Sequence, residues 1–197
     1  MNYLAHLHIA HLCQSSLTGN LLGDFVRGNP EGRWSTYIVK GIRMHRFVDS
    51  YTDSHPLLAD AKAFFDPRTR RFAGIALDVF WDHCLANQWH QYHEQSLESF
   101  ARTSGDRLLA AQQPDFPQTY LAVVSRMVQG QWLVSYREMD NIHFALQRIS
   151  QRRPKFEPVA ECSKVIETHY QELNQCFELF YPTLIAASKQ FQSSQSI

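Results

Sequence analysis

Three polar residues, Asp78, Asp82 and His83, interrupt the run Ile75 to Ala86. The other nine of its twelve residues are apolar, so the run reads as a helix buried on most sides. At about 3.6 residues per turn, Asp78 and Asp82 stand one above the other, and His83 lies about 100° round from Asp82. Two stacked carboxylates repel, more strongly when buried, and call for a positive partner: a divalent cation, an arginine or a histidinium. A solvated polar stripe with an incidental histidine is the plainer explanation. It loses ground because similar groups recur upstream. His45 and Asp49 repeat the i, i+4 spacing, Asp53 and His55 follow, and Asp24 and the pair His6/His8 lie earlier. Mixed imidazole and carboxylate donors suit a first-row metal that promotes hydrolysis. The residues point to a metal-dependent hydrolase site among helices.

The elements that must position these groups all read as helical. Residues 2 to 13 carry Leu4, Leu7 and His8, then His11 and Leu12, at the spacing of one helical face, and His6 lies off that face. A single histidine here is more often a satisfied core or surface group than a ligand, and His8 and His11 have no carboxylate beside them. Thr18 or Asn20 can cap a short helix that Gly28 ends. Gly19 and Gly23, four residues apart, leave room for close approach by backbone or ligand. Asp24 follows as either a capping or ion-paired residue or a metal ligand. Residues 35 to 50 form a helix that stacks His45 on Asp49, with Arg43 and Arg46 beside them. Pro56 opens the next helix, to about Phe65, with Asp53 or Ser54 as its cap.

Further helices are expected over Trp89 to about Ala111, Phe116 to about Gly130, and Trp132 to Gln151. His90 and His93 read as exposed. A last long helix starts near Pro158, with His169 on its apolar stripe as a structural residue and Pro182 kinking or interrupting it. No stretch alternates with period two for long, and there is no hairpin turn, repeat, Gly-rich phosphate loop or G-x-S-x-G elbow. The expected fold is all-α, one multi-helix bundle of seven or eight helices over residues 1–197, with a polar tail from about Ser188 lacking structure.

Bulk properties narrow the function. The 197 residues are 44% hydrophobic with zero net charge, which suits a globular domain and argues against general nucleic-acid or membrane-surface binding. Charge is nonetheless uneven. Arg27 to Arg71 holds nine Lys/Arg against five Asp/Glu, a net +4, which reads as ordinary surface or as a docking face for an anion. Cys13, Cys84, Cys162 and Cys176 form no C-x-x-C pair, so a reducing cytoplasm is the simplest setting. The first residues lack a signal-peptide pattern, and no apolar run approaches the roughly 20 residues that span a bilayer.

Four blocks in order, Met1 to Leu7, Gly19 to Gly28, Gly41 to Pro56 and Arg70 to Ala86, resemble the acyl carrier protein phosphodiesterase family. That family is related to the metal-dependent HD phosphohydrolases. The length also matches, so the resemblance covers the whole chain, although its specific blocks fall in the first ninety residues. It implies an HD-phosphohydrolase-like helical fold and hydrolysis of the phosphodiester that joins 4′-phosphopantetheine to a serine of holo acyl carrier protein. It also implies a divalent metal, manganese before others. HD enzymes ligate metal through an adjacent His-Asp pair, whereas here the pair runs in reverse as Asp82-His83.

Residues and resemblance together nominate Asp24, His45, Asp49, Asp78, Asp82 and His83 as metal ligands, with one carboxylate acting instead as base or supporting a ligand. Asp24, Asp82 and His83 are the catalytic candidates. Arg27, Arg43 or Arg46 would hold phosphate oxygens, and the basic segment suits docking of an acidic carrier protein. Two other readings compete: an HD-like hydrolase of nucleotides or another small phosphodiester, and a helical module that binds an acidic partner without catalysis.

Overall fold

The computed structural model describes residues 1–195, and these form helices with no strand among them. In chain order the helices are α1 (Tyr3–Leu12), α2 (Leu17–Leu22), α3 (Thr36–Ser54), α4 (Pro56–Ala63), α5 (Ala73–Asn87), α6 (Trp89–Tyr92), α7 (Leu97–Ala110), α8 (Gln118–Gln129), α9 (Trp132–Ser135), α10 (Met139–Ser150), α11 (Cys162–Thr168) and α12 (Tyr170–Ser194). Short 3-10 turns occupy Gly23–Phe25, Arg70–Phe72 and Pro154–Val159. There are more helices than the apolar periodicity suggested. Polar breaks split single expected segments into α6 with α7, α9 with α10, and α11 with α12.

Helix α5 is the hub, as its composition predicts. It buries residues all round its circumference, among them Leu77, Phe80, Trp81, Cys84 and Leu85, and it packs on α1, α10, α11 and α12. The Trp81 ring stacks on Phe180 of α12 with centroids 4.9 Å apart. One apolar cluster joins these helices from Met1 to Leu184.

Helices α2 and α3 cross almost backbone to backbone. A Cβ on Gly19 would lie 2.2 Å from the Ile38 carbonyl oxygen, and one on Gly41 would lie 2.9 Å from the Gly19 Cα. Only residues without a side chain allow this approach. Ser16 starts α2 by accepting the Gly19 N–H at 3.0 Å. The α3–α4 break falls before Pro56, as expected, but the cap is the His55 ring, whose Nδ1 accepts the Leu57 N–H at 3.3 Å. Asp53 and Ser54 do not cap α4, because α3 runs on through Ser54.

Two expectations about the last helix need correction. Pro182 lies within α12 and does not end it. Phe180, Tyr181 and Leu184 are buried on both sides of the proline, so packing offsets the roughly 3 kcal/mol that an interior proline costs. The polar stretch from Ser188 is helical through Ser194, with Ser188 buried and the Phe191 ring stacked on Phe47 at 4.2 Å. The expectation for Ser196 and Ile197 falls outside the described residues.

The start of α1 is held from outside. Asn2 makes no side-chain capping bond. The two carboxylate oxygens of Asp82, a fully buried residue on α5, accept the N–H groups of Leu4 at 2.7 Å and Ala5 at 3.0 Å. These are donors that a helix leaves unpaired in its first turn, where the helix dipole also favours negative charge. Asp82→Ala should therefore lower stability by roughly 1 to 3 kcal/mol, a fall in Tm of roughly 2 to 12 °C. A melting curve unchanged from the native protein would show that this contact does not anchor the helix.

Candidate metal centre and adjoining cavity

Three segments converge beside the α1 start. Helix α1 supplies His6, the 3-10 turn after α2 supplies Asp24, and α3 supplies His45 and Asp49. The His6 and His45 rings stack with centroids 4.0 Å apart. Asp49 bridges them, with Oδ1 3.1 Å from His6 Nε2 and Oδ2 3.0 Å from His45 Nε2. Asp24 Oδ1 lies 3.5 Å from His45 Nε2. Donor atoms of His6, His45 and Asp49 all fall within 4.8 Å of one another. Both imidazoles are buried, whereas the Asp24 side chain is 50% exposed and that of Asp49 40% exposed, so the cluster opens to solvent on its carboxylate side.

Local sequence explains the convergence. The i, i+4 spacing places His45 over Asp49 on α3. Gly23 makes room for the His45 ring, since a Cβ there would lie 2.1 Å from its Cδ2. The donor set fits a metal ion. Both ring nitrogens of His6 and Nδ1 of His45 are buried without a well-directed hydrogen bond, although His6 Nε2 lies 3.1 Å from Asp49. Buried polar atoms are seldom left so, and two imidazoles with one carboxylate is a known ligand set for first-row divalent ions.

Without metal the cluster divides its charge unequally. Burial works against a charged His45, but the hydrogen bonds that its ring donates to Asp24 and Asp49 raise its pKa to about 9. Burial together with the charge on His45 lowers His6 to about 4. Burial pushes the Asp49 carboxyl up, yet the two imidazoles hold it well below the usual carboxylate range. Asp24 is likewise held low by His45 against the effect of burial. The metal-free cluster thus has a protonated His45, a neutral His6 and two ionised carboxylates.

The remaining residues nominated from the sequence lie around this cluster or away from it. Asp78 is next to it, bound to the Met1 ammonium at 2.6 Å, and that ammonium also lies 3.9 Å from Asp49. Asp82 is committed to α1, and burial pushes its carboxyl up to about 7 despite those two N–H donors. Asp82 thus caps α1, and it is not among the donors that fall within 4.8 Å of one another. His83 points elsewhere as well. Its Nδ1 lies 2.8 Å from the Tyr136 carbonyl and its Nε2 2.9 Å from the Tyr170 hydroxyl. Arg43 pairs with Glu31. Arg46 donates to the Val26 carbonyl at 2.8 Å and so braces the loop after Asp24, whereas Arg27 is exposed. His8 is a core residue, bonded to the Tyr181 hydroxyl at 2.7 Å.

His6 is the group that sequence periodicity misplaces. Helix α1 buries every residue from Leu4 to Ala10, so it has no outer face at that position. The signal that could have found it is the first of the four blocks, Met1 to Leu7, whose pattern outweighs amphipathicity in a helix that is apolar all round.

A cavity of about 650 Å³ adjoins the cluster. Asp24 forms part of its wall, together with Asn2 and Tyr3 from the α1 start and residues of α8, α9 and α10. A second cavity, about 390 Å³, is lined by residues of α7, α8 and α9 with Gln131 and contains none of the cluster residues.

Residues 1–184 match the family model described as acyl carrier protein phosphodiesterase. A relative from Enterobacter sp. bearing that name is 43% identical over 98% of this chain and 100% of its own length. One from Klebsiella pneumoniae subsp. pneumoniae is 41% identical over 98% and 100%, and one from Escherichia coli is 42% identical over 94% and 96%. No solved structure matches the chain. With a family model covering nearly the whole sequence and full-length relatives above 40% identity, the chain belongs to the acyl carrier protein phosphodiesterase family.

Proposed function

We propose that this protein is a metal-dependent phosphodiesterase that hydrolyses holo acyl carrier protein to apo carrier protein and 4′-phosphopantetheine. The relatives' shared name supports the reaction class. The observation that carries the metal dependence is the His6, His45 and Asp49 cluster, with Asp24 between it and the cavity. His6, His45 and Asp49 are the residues that would hold the ion, and manganese is our choice because a mixed nitrogen and oxygen set accepts it. A divalent cation in that place supplies positive charge against the phosphodiester and makes water acidic enough to attack near neutral pH.

The chain's own groups do the rest. The water oxygen attacks phosphorus, the bond from phosphorus to the serine oxygen breaks, and that oxygen leaves with the proton that Asp24 has drawn from the attacking water. Asp24 takes the proton of the attacking water, being ionised, half exposed and on the cavity wall. Tyr3 lines the same cavity. Burial and the nearby Asp24 push its phenol up to about 12, so it stays protonated and can donate to a phosphoryl oxygen. Asp82 and His83 act at one remove, the first by fixing α1 and the second by tying α5 to Tyr136 and Tyr170. The four cysteines are free thiols, which supports a cytoplasmic setting. No helix among the described residues is long and apolar enough to cross a membrane.

Mass spectrometry of holo carrier protein incubated with the enzyme and Mn²⁺ should show loss of the 4′-phosphopantetheine group, and chelator should stop it. Unaltered holo carrier alongside cleaved free nucleotides would favour the small-phosphodiester reading instead. Asp24→Asn should reduce kcat by roughly 10²- to 10⁴-fold, as expected for a general base, with little change in Tm. Near-native turnover would remove Asp24 from the reaction. Gly23→Ala should displace the His45 ring and reduce bound metal by at least tenfold, read by elemental analysis. Equal metal content in the two proteins would exclude His45 as a ligand.

The raised pKa of His45 sets a pH dependence. Between the ordinary imidazole value and about 9, the metal-free protein carries a proton on His45 that a ligand must give up. Metal uptake at pH 7.5 should release close to one proton, and affinity should rise about tenfold per pH unit up to about pH 9. The metal-free fold should lose stability over the same rise, because a folded-state pKa above the unfolded one favours folding only while the proton is bound. Calorimetry in buffers of differing ionisation enthalpy reads the proton count, and a count of zero contradicts this charge assignment.

A further inference from the structure

The cavity next to Asp24 carries more positive charge than the sequence blocks suggested, and from a different part of the chain. Three arginines line it, Arg126 from α8, Arg148 from α10 and Arg152 just beyond α10. All three are exposed, and none forms an ion pair with a carboxylate among the described residues. By contrast, Arg43, Arg68 and Arg137 are each paired with a glutamate.

Phe144 and Arg148 stand one turn apart on the cavity side of α10, and Arg152 follows in the turn after it. Phe144 is 57% exposed, with the Arg148 guanidinium 5.6 Å from its ring centre. That puts an exposed aromatic ring and a cation together at the mouth. Arg152 lines the same cavity as Tyr3 and Asp24. The cavity therefore runs from a cationic, aromatic rim to the carboxylate wall of the metal cluster.

We propose that this cavity receives the phosphodiester-linked arm of the substrate, with Arg152 at its phosphoryl end and Arg148 and Phe144 at the rim against the acidic surface of the protein that bears the arm. The proposal rests on the carrier-protein reading above. It moves the docking face from the segment Arg27 to Arg71 to the α8 and α10 side of the molecule. Unpaired guanidinium groups suit phosphate and carboxylate oxygens through paired N–H donors, and a flexible arm packs on aromatic walls such as Trp132 and Phe25.

Binding separates this proposal from the catalytic one. Chelator-treated full-length protein leaves holo carrier protein intact, and calorimetry at low salt then reads its Kd. Arg148→Glu and Arg152→Glu should each weaken binding at least tenfold, while Arg107→Glu, on the exposed side of α7 and outside both cavities, should stay within twofold. Native-like binding by both cavity variants, equal weakening by Arg107→Glu, or no binding by the unmutated protein would each overturn the proposal. A protein that binds through these arginines yet leaves holo carrier uncut with Mn²⁺ would retain the docking face and lose the catalytic reading. Because both arginines are exposed and unpaired, the variants should fold normally, which circular dichroism checks.

Discussion

A single buried carboxylate positions most of what this protein uses for chemistry. Asp82 holds the N–H groups of Leu4 and Ala5 and so fixes where α1 begins. From that fixed start the first two turns place Asn2 and Tyr3 on the cavity wall and His6 against His45. A carboxylate with no water around it is costly unless its oxygens are satisfied, and the open first turn of a helix is one of the few places that satisfies both with backbone alone. Placing Asp82 on the central, largely buried helix α5 couples the site's geometry to the packing of the core.

The cluster itself is polarised from inside to outside. Its nitrogen donors are enclosed by α1 and α3, and its oxygen donors face outward. Imidazoles need fixed ring orientation to serve as ligands, and burial provides it through stacking and through the missing Cβ of Gly23. Carboxylates have to reach both an ion and a substrate, and partial exposure keeps them ionised. The Gly19–Gly41 contact serves the same end one turn earlier, since α2 could not otherwise bring Asp24 close to α3.

The all-α class was legible because apolar periodicity is strong in α3, α7, α8, α10 and α12. The pairing of His45 with Asp49 was legible for the same reason, being local to one helix. Contacts between distant segments were not. Asp82 and His83 look like ligands in one dimension, because an apolar helix interrupted by acids and a histidine resembles a site. In three dimensions their partners are a helix end and two tyrosines, Tyr136 and Tyr170, far along the chain. His6 was hidden by the opposite effect, since a helix buried all round has no polar face to read. The cavity arginines come from two helices and a turn with no motif linking them, so only packing brings them together.

The Asp82 contact also sets an order for synthesis on the ribosome. The carboxylate lies 78 and 77 residues downstream of the two N–H groups it binds. Until translation has passed α5, the emerging α1 can pack on α2 and α3 but has no anchor for its first turn. A nascent chain stopped in α4 contains His6, Asp24, His45 and Asp49 but lacks the carboxylate that caps α1. Final seating of the cluster therefore waits until α5 has been made, and the opening helix is a stretch that folding helpers would meet without its cap.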